Sequence, residues 1–245
     1  MFEEPSAITE SVIALAATIA ALFAFLVVYS LFKKENSRTN KILKTTFILF
    51  CMAMIFYAAG EWTWLIYHKM LGIDPYPSLA DLFYLPGYLF EIAAFIYLTV
   101  KLFSSSKIIG KGILFLTIGT FIITGMTFSI LAFLIIPYQD WNSSLESLLN
   151  IIYPVSSAVI LISSIPVYLM FHKQAISRPI LLLAVSALLN YVGDLLFSYY
   201  SWKEIYGVIG MLSDSAYILG YVCFAAALMI FYLSLKKTAG IDEEI

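Results

Sequence analysis

Charged residues are scarce in this chain of 245 residues: they account for 12% of it, whereas a soluble domain carries about a quarter. Hydrophobic residues account for 62%, which is more than one soluble core can bury. The composition therefore predicts a protein whose surroundings are largely lipid bilayer. Basic residues are confined to short segments between the apolar ones, so we expect no nucleic-acid partner.

Cysteine and histidine are equally rare, with two of each. Cys51 and Cys223 fall inside apolar segments, so we interpret them as small buried hydrophobes and predict no disulfide. His68 and His172 are expected at opposite membrane edges and cannot share a haem, and a zinc hydrolase would need more His or Cys ligands. Residues 207–235 contain no lysine for a retinal Schiff base. With no GxSxG motif either, we predict neither a cofactor nor an enzymatic activity.

Seven apolar segments are each long enough to cross the hydrocarbon core, which takes about 20 helical residues. The segments between them are short and leave no room for a soluble domain. We therefore predict that residues 1–245 form one all-α integral membrane domain. The predicted spans are 9–32, 42–68, 79–103, 111–136, 146–171, 179–202 and 207–235.

Lysine and arginine are distributed unequally between the two sets of connections. Twelve of the fourteen lie in or beside the connections after spans 1, 3 and 5 or in the C-terminal tail, and only Lys69 and Lys203 lie in the other set. Positive charge is retained on the cytoplasmic side of a membrane. We therefore predict a multi-pass protein of the cell membrane with its N-terminus outside and its C-terminus inside, which agrees with an odd number of spans.

Spans 3 and 7 begin with the same pattern, D-x-x-Y-x-x-G-Y, and span 5 carries a degenerate version of it. The residues are Asp81, Tyr84, Gly87 and Tyr88; Asp214, Tyr217, Gly220 and Tyr221; and Asn150, Tyr153, Ser156 and Ser157. A glycine in each preceding span, Gly60, Gly125 or Gly193, comes 24, 28 or 24 residues before the shared tyrosine. Such similarity predicts internal repeats. We predict one helix followed by three parallel hairpins, 42–103, 111–171 and 179–235.

The stretch YPSLADLFYLPGYLFEIAAF resembles the multi-span N-terminal membrane modules fused to bacterial diguanylate cyclase and phosphodiesterase domains, and sometimes to histidine kinases. Those modules commonly read PS-x-AD-x-x-YL-x-x-Y at this point. The matching residues are Pro77, Ser78, Ala80, Asp81, Tyr84, Leu85 and Tyr88, with Tyr153-Pro154 further on. The resemblance implies a membrane sensory role without specifying a ligand. The output domain of those proteins is missing here, so we expect signalling to a separate cytoplasmic partner.

Carboxylates inside the apolar segments are the strongest candidates for a functional site. An ionisable side chain within a span is costly unless it is paired or hydrated. Glu61 and Asp194 are such residues, and a structural hydrogen bond to a tyrosine would also explain them. Asp81 and Asp214 begin helices, where a carboxylate can also cap free backbone N–H groups. Glu91, three turns into span 3, is either protonated and hydrogen-bonded or faces a cavity.

The predicted topology brings these carboxylates to the outer third of the membrane. We predict a pocket formed by Glu61, Asp81, Asp194, Asp214, Tyr57, Tyr84, Tyr88, Tyr191, Tyr217 and Tyr221. Carboxylates among aromatic rings suit a cationic or amine ligand, and carboxylate oxygens could also hold a divalent metal.

These features predict a stand-alone sensory or receptor-like module that binds a small ligand from outside. Two alternatives remain open at this point. One is a transporter or ion-coupled carrier, since carriers use buried carboxylates and internal repeats. The other is a non-catalytic subunit of a membrane complex.

Overall fold

A computed structural model describes residues 6–34, 37–103, 111–139, 141–142, 144–172, 174, 176–201 and 206–242. Over this part of the chain the regular structure is entirely helical, and seven helices are long and apolar enough to cross a membrane. The helices are α1 (Ala7–Phe32), α2 (Arg38–Leu65), α3 (Asp81–Phe103), α4 (Lys111–Ile130), α5 (Ser144–Phe171), α6 (Ser177–Ser201) and α7 (Gly207–Asp242). The predicted all-α class and the predicted number of spans are confirmed. The last helix continues seven residues beyond the predicted end at 235.

Two helices change their winding near their C-terminal ends. α2 continues as a π-helical turn over Ile66–Leu71, and α4 continues as a π-helical turn over Leu131–Ile135 and then a short 3₁₀ turn. Gly72 closes the first of these turns with φ of 61°, a left-handed conformation that glycine adopts without steric cost. The turn carries His68, whose Nδ1 is hydrogen-bonded to Glu10 Oε1 at 2.5 Å.

Six of the seven helices form a closed ring. Around the ring, α1 packs on α2, α2 on α3, α3 on α5, α5 on α6, α6 on α7, and α7 on α1. α4 lies outside the ring against α5, and its side chains are largely exposed, Phe121 to 78%. The ring therefore has an interior, and its exterior is an apolar surface suited to lipid.

Small residues let α1 close the ring. Ala14, Ala17, Ala20 and Ala24 are completely buried. Their spacing of three or four residues places them on one face of the helix. Without bulky side chains on this face, the α1 backbone can approach α2 and α7 closely, as is usual between helices in membranes.

Phenylalanine side chains fill one half of the interior. Phe50 of α2 lies edge-to-face against Phe95 of α3 and Phe224 of α7, with ring centroids 5.0 and 5.5 Å apart. Phe95 lies one turn beyond Glu91, and Phe224 lies one turn beyond Tyr221. The carboxylates that line the interior therefore lie in the other half of the ring, where α2 ends and α3 begins. We call this the α2–α3 end.

Glycines admit tyrosine rings between adjacent helices. A Cβ atom on Gly60 of α2 would lie 2.6 Å from the ring of Tyr84 of α3. A Cβ atom on Gly193 of α6 would lie 2.8 Å from the ring of Tyr217 of α7. Real Cβ contacts are longer than this, so both positions require a residue without a side chain. In each pair the tyrosine follows its glycine by 24 residues.

The same two helix pairs contain a reciprocal contact in the opposite direction. Gly87 of α3 faces the ring of Tyr57 of α2, which a Cβ atom would approach to 2.6 Å, and Gly220 of α7 faces the amide of Asn190 of α6. The α4–α5 pair does not share this packing, since a Cβ atom on Gly125 would meet no described atom within 4 Å. In the predicted middle hairpin, this glycine therefore has no packing role of that kind.

We expect Gly60→Ala and Gly193→Ala to destabilise the protein, because each added methyl group would overlap a packed tyrosine ring. Overpacking of this kind costs about 1–3 kcal/mol, so the midpoint of thermal unfolding of the protein purified in detergent should fall. Gly125→Ala is the matched control and should leave the midpoint unchanged. Equal midpoints for all three variants would contradict a requirement for glycine beside the tyrosines.

Candidate functional site

The interior of the ring contains a cavity of about 90 Å³ at the α2–α3 end. A single water molecule needs roughly 10–15 Å³ of such space, so the cavity has room for several. All six ring helices contribute side chains to its wall. The carboxylates that line it are Glu10, Glu61, Asp81, Glu91, Asp194 and Asp214.

The side chains of this cavity that carry charge when ionised at neutral pH are all carboxylic acids. Among the described residues that line it there is no lysine, arginine or histidine. His68 lies outside the wall, with Nδ1 bonded to Glu10 and Nε2 3.4 Å from Lys69 Nζ. Burying a carboxylate without compensation is expensive, so hydrogen bonds, protons or a cationic ligand must neutralise these groups.

Asp194 of α6 is held by two tyrosine hydroxyl groups. Tyr88 of α3 donates to Oδ2 and Tyr217 of α7 donates to Oδ1, both over 2.7 Å. The side chain is only 2% exposed. Because the two donors come from different helices, Asp194 connects α6 with both α3 and α7.

Glu61 of α2 has a matching environment. Tyr221 of α7 donates to its Oε1 over 2.8 Å, and the hydroxyl of Tyr84 also interacts with its carboxylate. The α2–α3 and α6–α7 pairs are thus joined by two crossed hydrogen bonds. In one of them Tyr88 donates to Asp194, and in the other Tyr221 donates to Glu61.

Asp81 combines a capping role with a place in the cavity wall. Its Oδ2 accepts from the backbone N–H of Ser78 over 2.6 Å, and its Oδ1 accepts from the hydroxyl of Tyr153 of α5. The first bond satisfies backbone just before α3, as a carboxylate in a capping box does. Asp214 Oδ2 similarly accepts from the hydroxyl of Tyr206. Burial and the adjacent Asp214 raise the pKa of Tyr206 above its ordinary value, so this hydroxyl keeps its proton and donates.

Glu91 is the deepest carboxylate of the cavity. It lies ten residues beyond Asp81 on α3, which corresponds to about 15 Å along the helix. Tyr57 of α2 donates to Oε2 over 3.0 Å. The other oxygen, Oε1, has no hydrogen-bond partner in the described part of the chain, although the residue is only 1% exposed.

Aromatic rings cover the cavity at the α2–α3 end. Tyr76, from the connection between α2 and α3, packs edge-to-face on Phe197 of α6 with ring centroids 4.9 Å apart. Its hydroxyl donates to Asn150 Oδ1 of α5 over 2.8 Å. Burial and the nearby Asp81 raise the pKa of Tyr76, so it remains a donor. Trp64 of α2 packs against the same Phe197, with ring centroids 5.8 Å apart.

Nine of the ten predicted site residues line this one cavity: Glu61, Asp81, Asp194, Asp214, Tyr57, Tyr84, Tyr88, Tyr217 and Tyr221. The exception is Tyr191, whose hydroxyl instead bonds to Thr127 of α4 over 2.8 Å. Asn190 lines the cavity in its place. Each residue of an α-helix is turned by about 100° from the last, so Asn190 and Tyr191 lie on opposite flanks of the face that carries Asp194.

Several cavity residues were outside the predicted set. Glu91 could have been added to the predicted pocket, because a carboxylate within an apolar segment is itself a sequence feature of a functional site. Tyr153 occupies the tyrosine position of the degenerate motif, where Asn150 replaces the acid. Glu10 gave a weak signal, since an acid at the start of a first span is ordinary, and nothing local distinguishes Asn190.

The carboxylates are not grouped as a metal site. Within the described residues no three His, Cys, Asp or Glu side chains are close enough together to hold an ion. Ca²⁺ takes about six to eight oxygen ligands, whereas here each carboxylate is engaged by a tyrosine or histidine side chain. The arrangement is better suited to an organic cation, which needs only one or two carboxylates and an aromatic surface.

No family model, curated protein or solved structure matches this chain. Any functional assignment therefore depends on the chemistry of the cavity. Its distinguishing property is a set of buried carboxylates, hydrogen-bonded mostly by tyrosines, with no described cation among them.

We expect Tyr88→Phe and Tyr217→Phe each to lower the free energy of unfolding, because each removes one donor to Asp194. Hydrogen bonds between membrane helices average about 0.6 kcal/mol and reach about 1.7 kcal/mol. Denaturation in detergent would measure the loss. Tyr29→Phe, on the exposed side of α1, is the control. If the two cavity variants are as stable as the control, Asp194 does not depend on these hydroxyl groups.

Proposed function

We propose that this protein is a receptor-like membrane module that binds a small cationic ligand in the acidic cavity and signals to a separate cytoplasmic protein. The observation that supports this proposal is the convergence of six carboxylates from five helices on one cavity without a described cation. An ammonium group would supply the missing positive charge, and the surrounding tyrosine rings would stabilise it by cation–π contact. The proposed role is binding rather than catalysis.

In the proposed orientation the cavity opens to the outside and the C-terminus lies in the cytoplasm. The distribution of lysine and arginine supports it, since twelve of the fourteen belong to the end opposite the cavity. That end would contact the signalling partner, and the membrane would be the cell membrane.

We further propose that the α2–α3 and α6–α7 pairs are copies of one hairpin. The matching contacts of Gly60 with Tyr84 and Gly193 with Tyr217 support this relation. A ligand between the copies would compete for the carboxylates of the crossed hydrogen bonds. Its binding would change how the two pairs pack, and this movement is the proposed signal.

The sequence resemblance to membrane modules of cyclic-dinucleotide enzymes and histidine kinases supports a sensory role. Four of the residues that carry it belong to the cavity wall: Asp81, Tyr84, Tyr88 and Tyr153. This agreement would be expected if the motif preserves a binding site rather than only a helix start.

An ion-coupled carrier is the second candidate function. Glu91 favours it, because a deep carboxylate is what proton- or cation-coupled transport uses. Against it, the cluster of Phe50, Phe95 and Phe224 fills the interior beyond Glu91, so a carrier would have to open this packing. A subunit role would use the exposed apolar face of α4, and stable co-purification of a partner would favour it.

We expect a cysteine at Met70 to react with a membrane-impermeant maleimide in intact cells, because Met70 is exposed at the α2–α3 end. The parent for this test carries Cys51→Ala and Cys223→Ala. Gln174→Cys, exposed after α5, is the control and should react only after permeabilisation. The reverse pattern would place the cavity on the cytoplasmic side.

Butylamine should raise the midpoint of thermal unfolding of the purified protein, since a ligand at 100 times its Kd stabilises by about 2.7 kcal/mol. A variant with both Glu61→Gln and Asp194→Asn should lose most of this stabilisation, because it lacks two of the anionic groups. Asp74→Asn, in a loop outside the cavity wall, should retain it. If no amine stabilises the protein while the double variant folds normally, a cation receptor is the wrong function.

A further inference from the structure

We infer that the ligand is a linear diamine, with one ammonium group between Glu91 and Asp194 and the other beside Glu61 and Asp214. This inference rests on the proposed function and adds the length and charge of the ligand. It depends on which carboxylates of the cavity have only tyrosine hydroxyl groups as partners, and on where these carboxylates lie.

Two of the six carboxylates have a local partner other than a tyrosine hydroxyl group. Asp81 sits at the first turn of α3, where the helix dipole and a backbone N–H favour an anion. Glu10 is paired with His68. The remaining four, Glu61, Glu91, Asp194 and Asp214, have only neutral hydroxyl donors among their described hydrogen bonds.

We group these four residues as two pairs, by the hydrogen bonds that place them. Asp194 accepts from Tyr88, which lies three residues before Glu91 on α3, and Glu61 accepts from Tyr221, which lies seven residues after Asp214 on α7. Ionised carboxylates that share one buried cavity repel each other. One ammonium group between the members of each pair would offset this repulsion, so the cavity has two subsites for positive charge.

Two carboxylate oxygens in the cavity wall, one assigned to each subsite, have no hydrogen-bond partner among the described residues. In the inner subsite it is Oε1 of Glu91, and in the outer subsite it is Oε2 of Glu10, which lies near Glu61 and Asp214. Glu10 is 5% exposed and Glu91 is 1% exposed. Both residues line the cavity. Unpartnered buried acceptors are costly, and an ammonium group carries the N–H donors that would satisfy them.

The two subsites are separated along the helix axes. On α2, Glu61 of the outer subsite lies four residues after Tyr57, whose hydroxyl donates to Glu91 of the inner subsite. On α3, Glu91 lies seven residues after Tyr84, whose hydroxyl interacts with Glu61. At 1.5 Å per residue the separation is about 6–10 Å. A chain of roughly four to six methylene groups covers this distance, because each carbon–carbon bond is about 1.5 Å long.

The surface between the subsites is aromatic. The ring of Tyr57 lies 5.5 Å from that of Tyr88 and 6.3 Å from that of Tyr221, measured between centroids. All three hydroxyl groups point to carboxylates of the two subsites. The three residues line the cavity, so their rings can contact the methylene groups of the ligand. Removing methylene groups from water contributes favourable free energy to binding.

The test compares matched amines on the full-length protein in nanodiscs by isothermal titration calorimetry. The probes are 1,5-diaminopentane, pentylamine and 1,2-diaminoethane. We expect the first to bind at least about tenfold more tightly than pentylamine, since it makes one more charge-assisted contact. 1,2-Diaminoethane should lose this advantage, because it is too short to reach both subsites.

Glu91→Gln should reduce the preference for 1,5-diaminopentane over pentylamine to about twofold or less, because the inner subsite loses its charge. Pentylamine should still bind through Glu61 and Asp214. Asp74→Asn is the control and should keep the full preference. If Glu91→Gln does not fold, the comparison of the three amines on the unmodified protein remains decisive.

Two results would overturn the inference while leaving the cation receptor intact. One is equal affinity of the unmodified protein for 1,5-diaminopentane and pentylamine. The other is an unchanged preference in Glu91→Gln. Failure of all three amines to bind would overturn the proposed function as well.

Discussion

A carboxylate enclosed by apolar helices has to be given hydrogen-bond donors, and in this protein tyrosine hydroxyl groups are the principal ones. Five of the six acids that line the cavity accept from a tyrosine. The rest of the bundle follows from this requirement. Glycines opposite Tyr57, Tyr84 and Tyr217 make room for the rings, and the helices must be arranged so that each hydroxyl reaches an acid on another element.

The interactions that stabilise the bundle are also those that would bind a ligand. The crossed bonds from Tyr88 to Asp194 and from Tyr221 to Glu61 join two helix pairs that are distant in sequence. A cation that draws on the same carboxylates must weaken or redirect these bonds. In the proposed function, ligand binding and helix packing would be coupled for that reason.

The two halves of the helix ring differ in what fills their interior. In one half phenylalanine rings pack edge-to-face. The other half keeps a cavity among acids and tyrosines. α4 borders the ring from outside, with Ile123 and Ile130 packed against the core and Thr127 bonded to Tyr191. Its position outside the ring leaves an apolar face to lipid or to another protein.

The sequence by itself determined the all-helical class, the seven spans and most of the acids and tyrosines of the cavity. These are local properties: span length follows from the thickness of the bilayer, and a carboxylate in an apolar segment is visible without a structure. Only the tertiary structure decided that Asn190 rather than Tyr191 lines the cavity, and that Glu91 and Glu10 also line it. Those facts depend on the rotation of each helix and on its order around the ring, which are set by packing between segments far apart in the chain.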